Sequence, residues 1–380
     1  MRFRHSDGTT VHVAYCTNVH AAENMAGVLD QLRRFGEPVR KRLGVDRLGL
    51  GLWLARPVAS ELLADRAALA KLRSELGSRG LEVVTVNGFP YQGFPAPVVK
   101  HAVYHPDWAD PRRTRYTLDL ARLLAALMPD DATRGSISTL PLGWRDPWTA
   151  SRSIRAARQL DLLADGLSRL DRSIRVGFEP EPGCVVENTG QAVTHFRDAD
   201  TTRLGVCLDT CHLAVAFEEP VEALDALSAA GIPVVKVQAS TALHVRRPRD
   251  PATRYALSSF VERRFLHQTR EGAPYGVDDL DAALAGGLPG HAPWRVHFHT
   301  PLHADPRPPL TTTRDVLRGT LRKLFGGATA WTDHVEVETY TWQALPERPV
   351  GEAGLVKGLT AELDWVRDEL QSLGLVEVGG

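Results

Sequence analysis

The stretch GVCLDTCH, Gly205 to His212, decides how this chain is read. Gly205, Val206, Cys207 and Leu208 form a short apolar run of the kind that fills a buried strand. The run then breaks into Asp209, Thr210, Cys211 and His212. A buried strand that ends in a carboxylate, with an imidazole three residues on, delivers chemistry to one end of a sheet. The runs on either side repeat the pattern. IRVGFEP (174–180) reaches Glu179 at its end, with Glu181 two residues later, and VVKVQA (234–239) carries Lys236 and Gln238.

Working outward, strand-like runs occur at 11–15, 48–55, 81–88, 136–142, 174–180, 204–209, 234–239, 294–300 and 334–339. Amphipathic helical runs separate most of them. In GLTAELDWVRDELQSLGL the residues Leu359, Leu363, Val366, Leu370 and Leu373 step by four and three along one helix face. Strand and helix alternating from end to end predict a parallel α/β fold. The interval between the seventh and last runs loses this rhythm and reads as an insertion, residues 241–293, that also absorbs WRVHFHT. Eight repeats then remain, the number of a (β/α)8 TIM barrel, as a single domain over 1–380 with 241–293 as a lid within it. A doubly wound open sheet is the competing architecture. It calls for a Gly-rich phosphate turn after an early strand, and GxGxxG is absent.

The 380 residues are 43% hydrophobic and 24% charged, with a formal net charge of -1. That balance gives no general attraction for nucleic acid or anionic membrane. No apolar run is long enough to span a bilayer, and the first residues, MRFRHSDGTTVHVAY, lack the apolar centre of an export signal. The four cysteines show neither zinc-type CxxC pairing nor a disulfide spacing. A cytoplasmic protein with free thiols is expected.

In a closed parallel barrel the working groups sit at the C-terminal ends of the strands. Polar residues do fall late in these runs: Tyr15, Asn18 and His20 after the first, Asn87 after the third, Glu179 and Glu181 after the fifth, Asp209 and His212 after the sixth. Period-2 alternation places Lys236 with Gln238, His297 with His299, and Glu336 with Glu338 on common faces. Several carboxylates and imidazoles would meet at one mouth. Burying them is costly unless a cation neutralises the cluster. An oxygen and nitrogen donor set suits Mn, Mg, Fe, Co or Zn.

The motifs now bear comparison with a family. CLDTCH (207–212) resembles the sixth-strand motif of the xylose-isomerase-like barrels, in the form seen in endonuclease IV. The resemblance implies that Asp209 and His212 are metal ligands. It carries the fifth-strand glutamate onto Glu179 and the eighth-strand glutamate onto Glu338 rather than Glu336. It matches His299 to a family histidine and puts His297 where an aspartate is usual. The seventh strand, where a histidine ligand is common, has Lys236 and Gln238 instead, which departs from a trinuclear nuclease centre. The wider set, YCTNVHAAEN, EPEPGC, KVQAS, HFHTPL and VEVETYTW, is similar to the EboE-type metabolite traffic proteins of this superfamily.

Three functions follow. The first is a metal-dependent isomerase or epimerase of a small polyol or cyclitol, with or without a phosphate. Here Glu179 and Glu338 would be the acid/base pair and Lys236 would stabilise an enediolate. Tyr15, Asn18, His20, Asn87, Glu181, Gln238, His297 and Glu336 would contact substrate, and Arg246, Arg247 and Arg249 of the lid would hold a phosphate. The second is a binding or carrier protein without turnover. The third is an endonuclease IV-like phosphodiesterase, which the balanced charge disfavours.

Overall fold

The structure, a computed structural model, describes residues 1–272 and 275–379. Eight parallel strands close into a barrel: β1 Thr10–Cys16, β2 Leu48–Trp53, β3 Leu81–Asn87, β4 Gly135–Thr139, β5 Ile174–Phe178, β6 Leu204–Asp209, β7 Val234–Ala239 and β8 His334–Val337. Each pairs with its sequence neighbour, and β8 returns to β1 with Val335 opposite Val13 and Val337 opposite Tyr15. A short strand, Arg2–Arg4, and the C-terminal strand Val376–Val378 add an antiparallel edge beside the start of β1. Among the described residues no helix is long and apolar enough to cross a membrane, and all four cysteines are free and buried.

The alternation of each strand divides the barrel into two environments. Outward residues such as Val11 and Val13 of β1, Leu50 and Leu52 of β2 and Val335 and Val337 of β8 join the main apolar core beneath the surrounding helices. The inward residues are small or polar: Thr85, Ser136, Ser138, Cys207, Lys236, His334 and Glu336, all buried. Lys236 pairs with Glu336 and donates to the Thr85 hydroxyl at 2.9 Å, so the two buried charges neutralise one another. Gly51 of β2 leaves the space that Glu336 occupies, because a Cβ there would overlap Oε1 of Glu336.

Between β7 and β8 the chain makes a long excursion. Five short strands, Gly276–Val277, Thr269–Arg270, Trp294–Val296, Leu243–Val245 and Thr311–Thr312, form an antiparallel sheet in that order. It has its own apolar core of Leu243, Val245, Leu257, Trp294, Val296 and Phe298. The excursion therefore runs past the expected limit at 293. The run at 294–300 supplies only a three-residue strand, and that strand belongs to this sheet rather than to the barrel. The excursion is tied to the loop after β3: the backbone N–H groups of Val99 and Lys100 both donate to the Arg264 carbonyl, at 2.7 and 2.9 Å.

Candidate active site

Asp209 ends β6 and caps the short helix Thr210–Val215, with Oδ1 accepting from the backbone N–H of His212 at 2.9 Å. That single turn carries His212 back over the strand end, which is why the carboxylate and imidazole are three residues apart. Ser240, just past β7, donates its hydroxyl to the same Oδ1 at 2.7 Å. Glu179 and Glu338 follow directly after β5 and β8. Ligand atoms of Glu179, Asp209 and Glu338 lie within 4.8 Å of one another, as do those of Asp209, His212 and His299.

Glu338 is the most firmly held of the acids. Its Oε1 accepts from the amides of Asn18 at 2.6 Å and Asn87 at 2.9 Å, and its Oε2 accepts from Gln238. Gln238 also donates to Glu179 Oε1 at 3.3 Å, so one amide spans both carboxylates from below. Burial, followed by the charge of Glu338, pushes the Glu179 carboxyl well above the usual range; burial, followed by Asp209, pushes Glu338 to about 8. Glu181 stands beside them, raised to about 8 chiefly by burial, and accepts the Tyr104 hydroxyl at 2.8 Å.

Three imidazoles face the acids, each anchored through Nδ1. His212 Nδ1 donates to the Pro180 carbonyl at 3.0 Å, and His299 Nδ1 to the Glu338 carbonyl at 2.6 Å. His297 Nδ1 donates to Gln268 Oε1 at 2.7 Å, an orientation fixed because the Gln268 amide nitrogen donates to the Pro182 carbonyl at 2.9 Å. All three therefore present an Nε2 lone pair to the site. The Nε2 atoms of His212 and His297 are 3.0 Å apart. Burial depresses both rings, His212 to about 4, so neither readily supplies a proton to the other. The pair is a receptor for a hydroxyl proton or a cation.

Four buried polar atoms of the residues lining the barrel mouth and of Asp209 have no partner: Asn18 Oδ1, Glu179 Oε2, Asp209 Oδ2 and His299 Nε2. His299 Nε2 lies 3.9 Å from Asp209 Oδ2. Orphaned buried atoms of complementary metal-ligand type, aimed together, fit a divalent ion. His212 Nε2 faces His297 and lies 3.9 Å from Asp209 Oδ1, an oxygen that already accepts from Ser240 and from the His212 backbone N–H. The unpartnered Asp209 Oδ2 therefore faces His299, while ligand atoms of Asp209, His212 and His299 all lie within 4.8 Å of one another. A second group, Glu181, His212 and His297, also lies within 4.8 Å.

Other expected residues are placed elsewhere. A cavity at the barrel mouth is lined by Asn18, Asn87, Glu179, Glu181, His212, His297, His299 and Glu338, but not by Lys236, Glu336, Gln238, Tyr15 or His20. Lys236 and Glu336 sit one strand layer below the carboxylates, locked to each other. Tyr15 points outward with Val11 and Val13 into the core, and its hydroxyl lies 3.1 Å from His20, which stacks on Phe35. Arg246, Arg247 and Arg249 are exposed and do not line the cavity. Ser240, Tyr104, Gln268 and Tyr340 were not expected. Their roles come from contacts between segments far apart in sequence, and only Ser240, adjoining β7, carried a local signal.

The closed eight-stranded parallel barrel, with buried acids after β5, at the end of β6 and after β8 that could hold a metal ion, defines a TIM barrel. The chain belongs to the xylose isomerase-like TIM barrel family, whose model matches residues 41–262. No curated protein matches it. Among solved structures it is similar to L-ribulose 3-epimerase (TM-score 0.52, 11% identity, covering 96% of this chain and 95% of that one). It is also similar to D-psicose 3-epimerase in the presence of D-fructose (0.51, 13%, 94% and 99%). A third is the IOLI protein with a binding zinc atom (0.50, 12%, 95% and 99%). At these identities the likeness is one of fold.

Proposed function

We propose that this protein is a metal-dependent isomerase or epimerase that moves a proton at a carbon next to a carbonyl in a small polyol or cyclitol. The observation that carries the reading is a pair of buried ligand groups that share Asp209, namely Glu179 with Asp209 and Glu338, and Asp209 with His212 and His299, in which Glu179 Oε2, Asp209 Oδ2 and His299 Nε2 have no partner. The sugar epimerases and the zinc-bound protein of the same fold support it. The motif set supports placement among the EboE-type metabolite traffic proteins, and the free cysteines a cytoplasmic setting.

Glu179, Asp209, His299 and Glu338 would hold the ion. When bound, it supplies a positive charge that polarises a carbonyl and eases loss of the neighbouring proton. Glu179 and Glu338 are the pair that exchange that proton with the substrate carbon. With Glu179 Oε2 left for the ion, Glu179 Oε1, held by one long hydrogen bond from Gln238 at 3.3 Å, would take the proton, while three amide N–H groups fix the orientation of Glu338. The lone pairs of His212 and His297 accept a substrate hydroxyl proton. The Tyr104–Glu181 and Gln268–His297 bonds hold this wall in place. The excursion after β7 supplies His297 and His299 and covers the mouth as a lid, which keeps the site dry.

Metal analysis of the purified protein, with NMR of candidate ketoses, aldoses and cyclitol ketones in D2O, tests the reading. Loss of a C–H signal is expected, abolished by Glu179→Gln and by Glu338→Gln. Tight polyol binding without exchange would make the protein a carrier. Cleavage of abasic DNA without exchange would make it a phosphodiesterase.

A further inference from the structure

The cavity has two unlike halves. Its floor, built from strand ends, is the acid and imidazole cluster. Its wall is built from the loop after β3 and from the excursion, and it is apolar: Phe89, Phe94, Val99, Val103, Phe265 and Leu266. Phe94, Phe265 and Tyr340 form a packed aromatic group, with ring centroids 5.3 Å (Phe94–Phe265), 5.8 Å (Phe94–Tyr340) and 4.8 Å (Phe265–Tyr340) apart. Trp53 backs it at 6.0 Å from Phe94.

Apart from the Tyr340 hydroxyl, which lies 3.5 Å from His297 Nε2 at the edge of the polar floor, the wall offers a ligand almost no polar partner. The Lys100 ammonium, the one side-chain cation among the described lining residues, is paired with Asp279. The Phe94 carbonyl is taken by the Arg264 guanidinium at 2.7 Å, and the Arg264 carbonyl by two backbone N–H groups. Arg264 itself does not line the cavity. A sugar with a hydroxyl on every carbon would leave several of them unpaired against these rings, and a phosphate would be stranded without a counter-charge. An aryl or alkyl group would instead bury apolar surface and meet ring faces and edges.

We propose that the cavity binds an amphiphilic polyol: a ligand that sets its oxygens on the acidic floor and an uncharged aryl or alkyl substituent against the Phe89, Phe94, Phe265 and Tyr340 wall. The polar end rests on the proposed function; the apolar end stands on the wall alone. The class narrows the substrate from free or phosphorylated sugars to polyols that carry an apolar group.

Calorimetric binding to the metal-loaded protein tests this without requiring turnover. The probes are phenyl β-D-glucoside, methyl β-D-glucoside and glucose 6-phosphate. The phenyl compound should bind about tenfold or more tightly than the methyl compound, and the phosphate most weakly. Phe94→Ala and, as a milder change, Phe265→Leu should remove most of the phenyl advantage while leaving methyl glucoside affinity within about twofold, which also reports intact folding. Equal binding of phenyl and methyl compounds, a phenyl advantage that survives both variants, tighter phosphate binding, or no binding of any probe would overturn the proposal. Proton exchange into an unsubstituted ketose with no phenyl advantage would leave the reaction standing and remove the apolar subsite. A phenyl advantage without exchange into any polyol would do the reverse.

Discussion

His299 Nδ1 lies 2.6 Å from the backbone carbonyl of Glu338, the residue whose own carboxylate joins the acidic cluster. The bond fixes the tautomer and the ring plane, and it leaves Nε2 unpartnered and turned toward Asp209. One residue at the end of β8 thus supplies an acid and also orients an imidazole delivered by the excursion.

From this relationship His299→Ala should weaken metal binding by two orders of magnitude or more. His212→Ala, whose Nε2 faces His297 and the already hydrogen-bonded Oδ1 of Asp209, should change it by less than about tenfold and mainly raise the substrate KM. Competition titration against a metallochromic chelator reads the first effect. A larger metal loss in His212→Ala than in His299→Ala would reverse the assignment.

Ser240 acts through Asp209, donating to Oδ1 at 2.7 Å while accepting the Cys211 backbone N–H at 2.9 Å. Ser240→Ala should lower metal affinity about 10- to 100-fold, and Ser240→Thr should recover part of it. The d–d spectrum of the Co-substituted protein would report the altered ligand field even if folding is unchanged.

The acids give a pH dependence of definite sign. Glu338, near 8 in the folded protein, and Glu179, also raised by burial and by the charge of Glu338, return to ordinary carboxylate behaviour on unfolding. Between about pH 4.5 and 8 these two acids therefore hold more protons in the folded metal-free protein than in the unfolded chain, and their contribution to stability falls as pH rises. The depressed imidazoles of His212 and His297 act in the opposite sense below about pH 6.5, so the decline is expected between about pH 6.5 and 8. A divalent ion replaces those protons. Metal binding should release protons and tighten with pH over the same range, and the metal-loaded protein should lose the decline. Urea melts at pH 6.5, 7.2 and 8, with and without metal, check this; a metal-free stability that climbs across that range would refute it.

Lys236 and Glu336 are fully buried beneath the site. Lys236→Met strands the Glu336 carboxylate and should destabilise the protein by about 3–5 kcal/mol in chemical denaturation. The double variant Lys236→Met/Glu336→Leu removes both charges and should recover most of that loss. If the double variant is no more stable than the single, the pair does more than neutralise itself.

The sequence by itself carried the barrel and most of its floor. Eight apolar runs alternating with helices, each turning polar at its end, define a parallel closed sheet, and a strand end is a fixed place in such a fold. Glu179, Asp209 and Glu338 were legible for that reason. The error at Tyr15 was avoidable, since alternation with Val11 and Val13 already turns it outward. Lys236 was harder. Alternation puts it inward, as observed, but depth along the barrel axis depends on strand stagger, and the stagger sets it one layer below Gln238, against Glu336.

What tertiary structure alone decided lies in the segments that leave the barrel. Nothing local in HFHT says that His299 bonds the Glu338 carbonyl while His297 bonds Gln268, or that Phe94 and Phe265, about 170 residues apart, close one wall. These contacts join residues with no shared periodicity. They are set by where two loops meet over the mouth, a meeting fixed by backbone bonds such as Val99 to Arg264. Strand ends are placed by a repeating geometry that composition betrays. The ligand orientation and the character of the cavity wall are placed by packing between distant loops, which leaves no repeating signature in the chain.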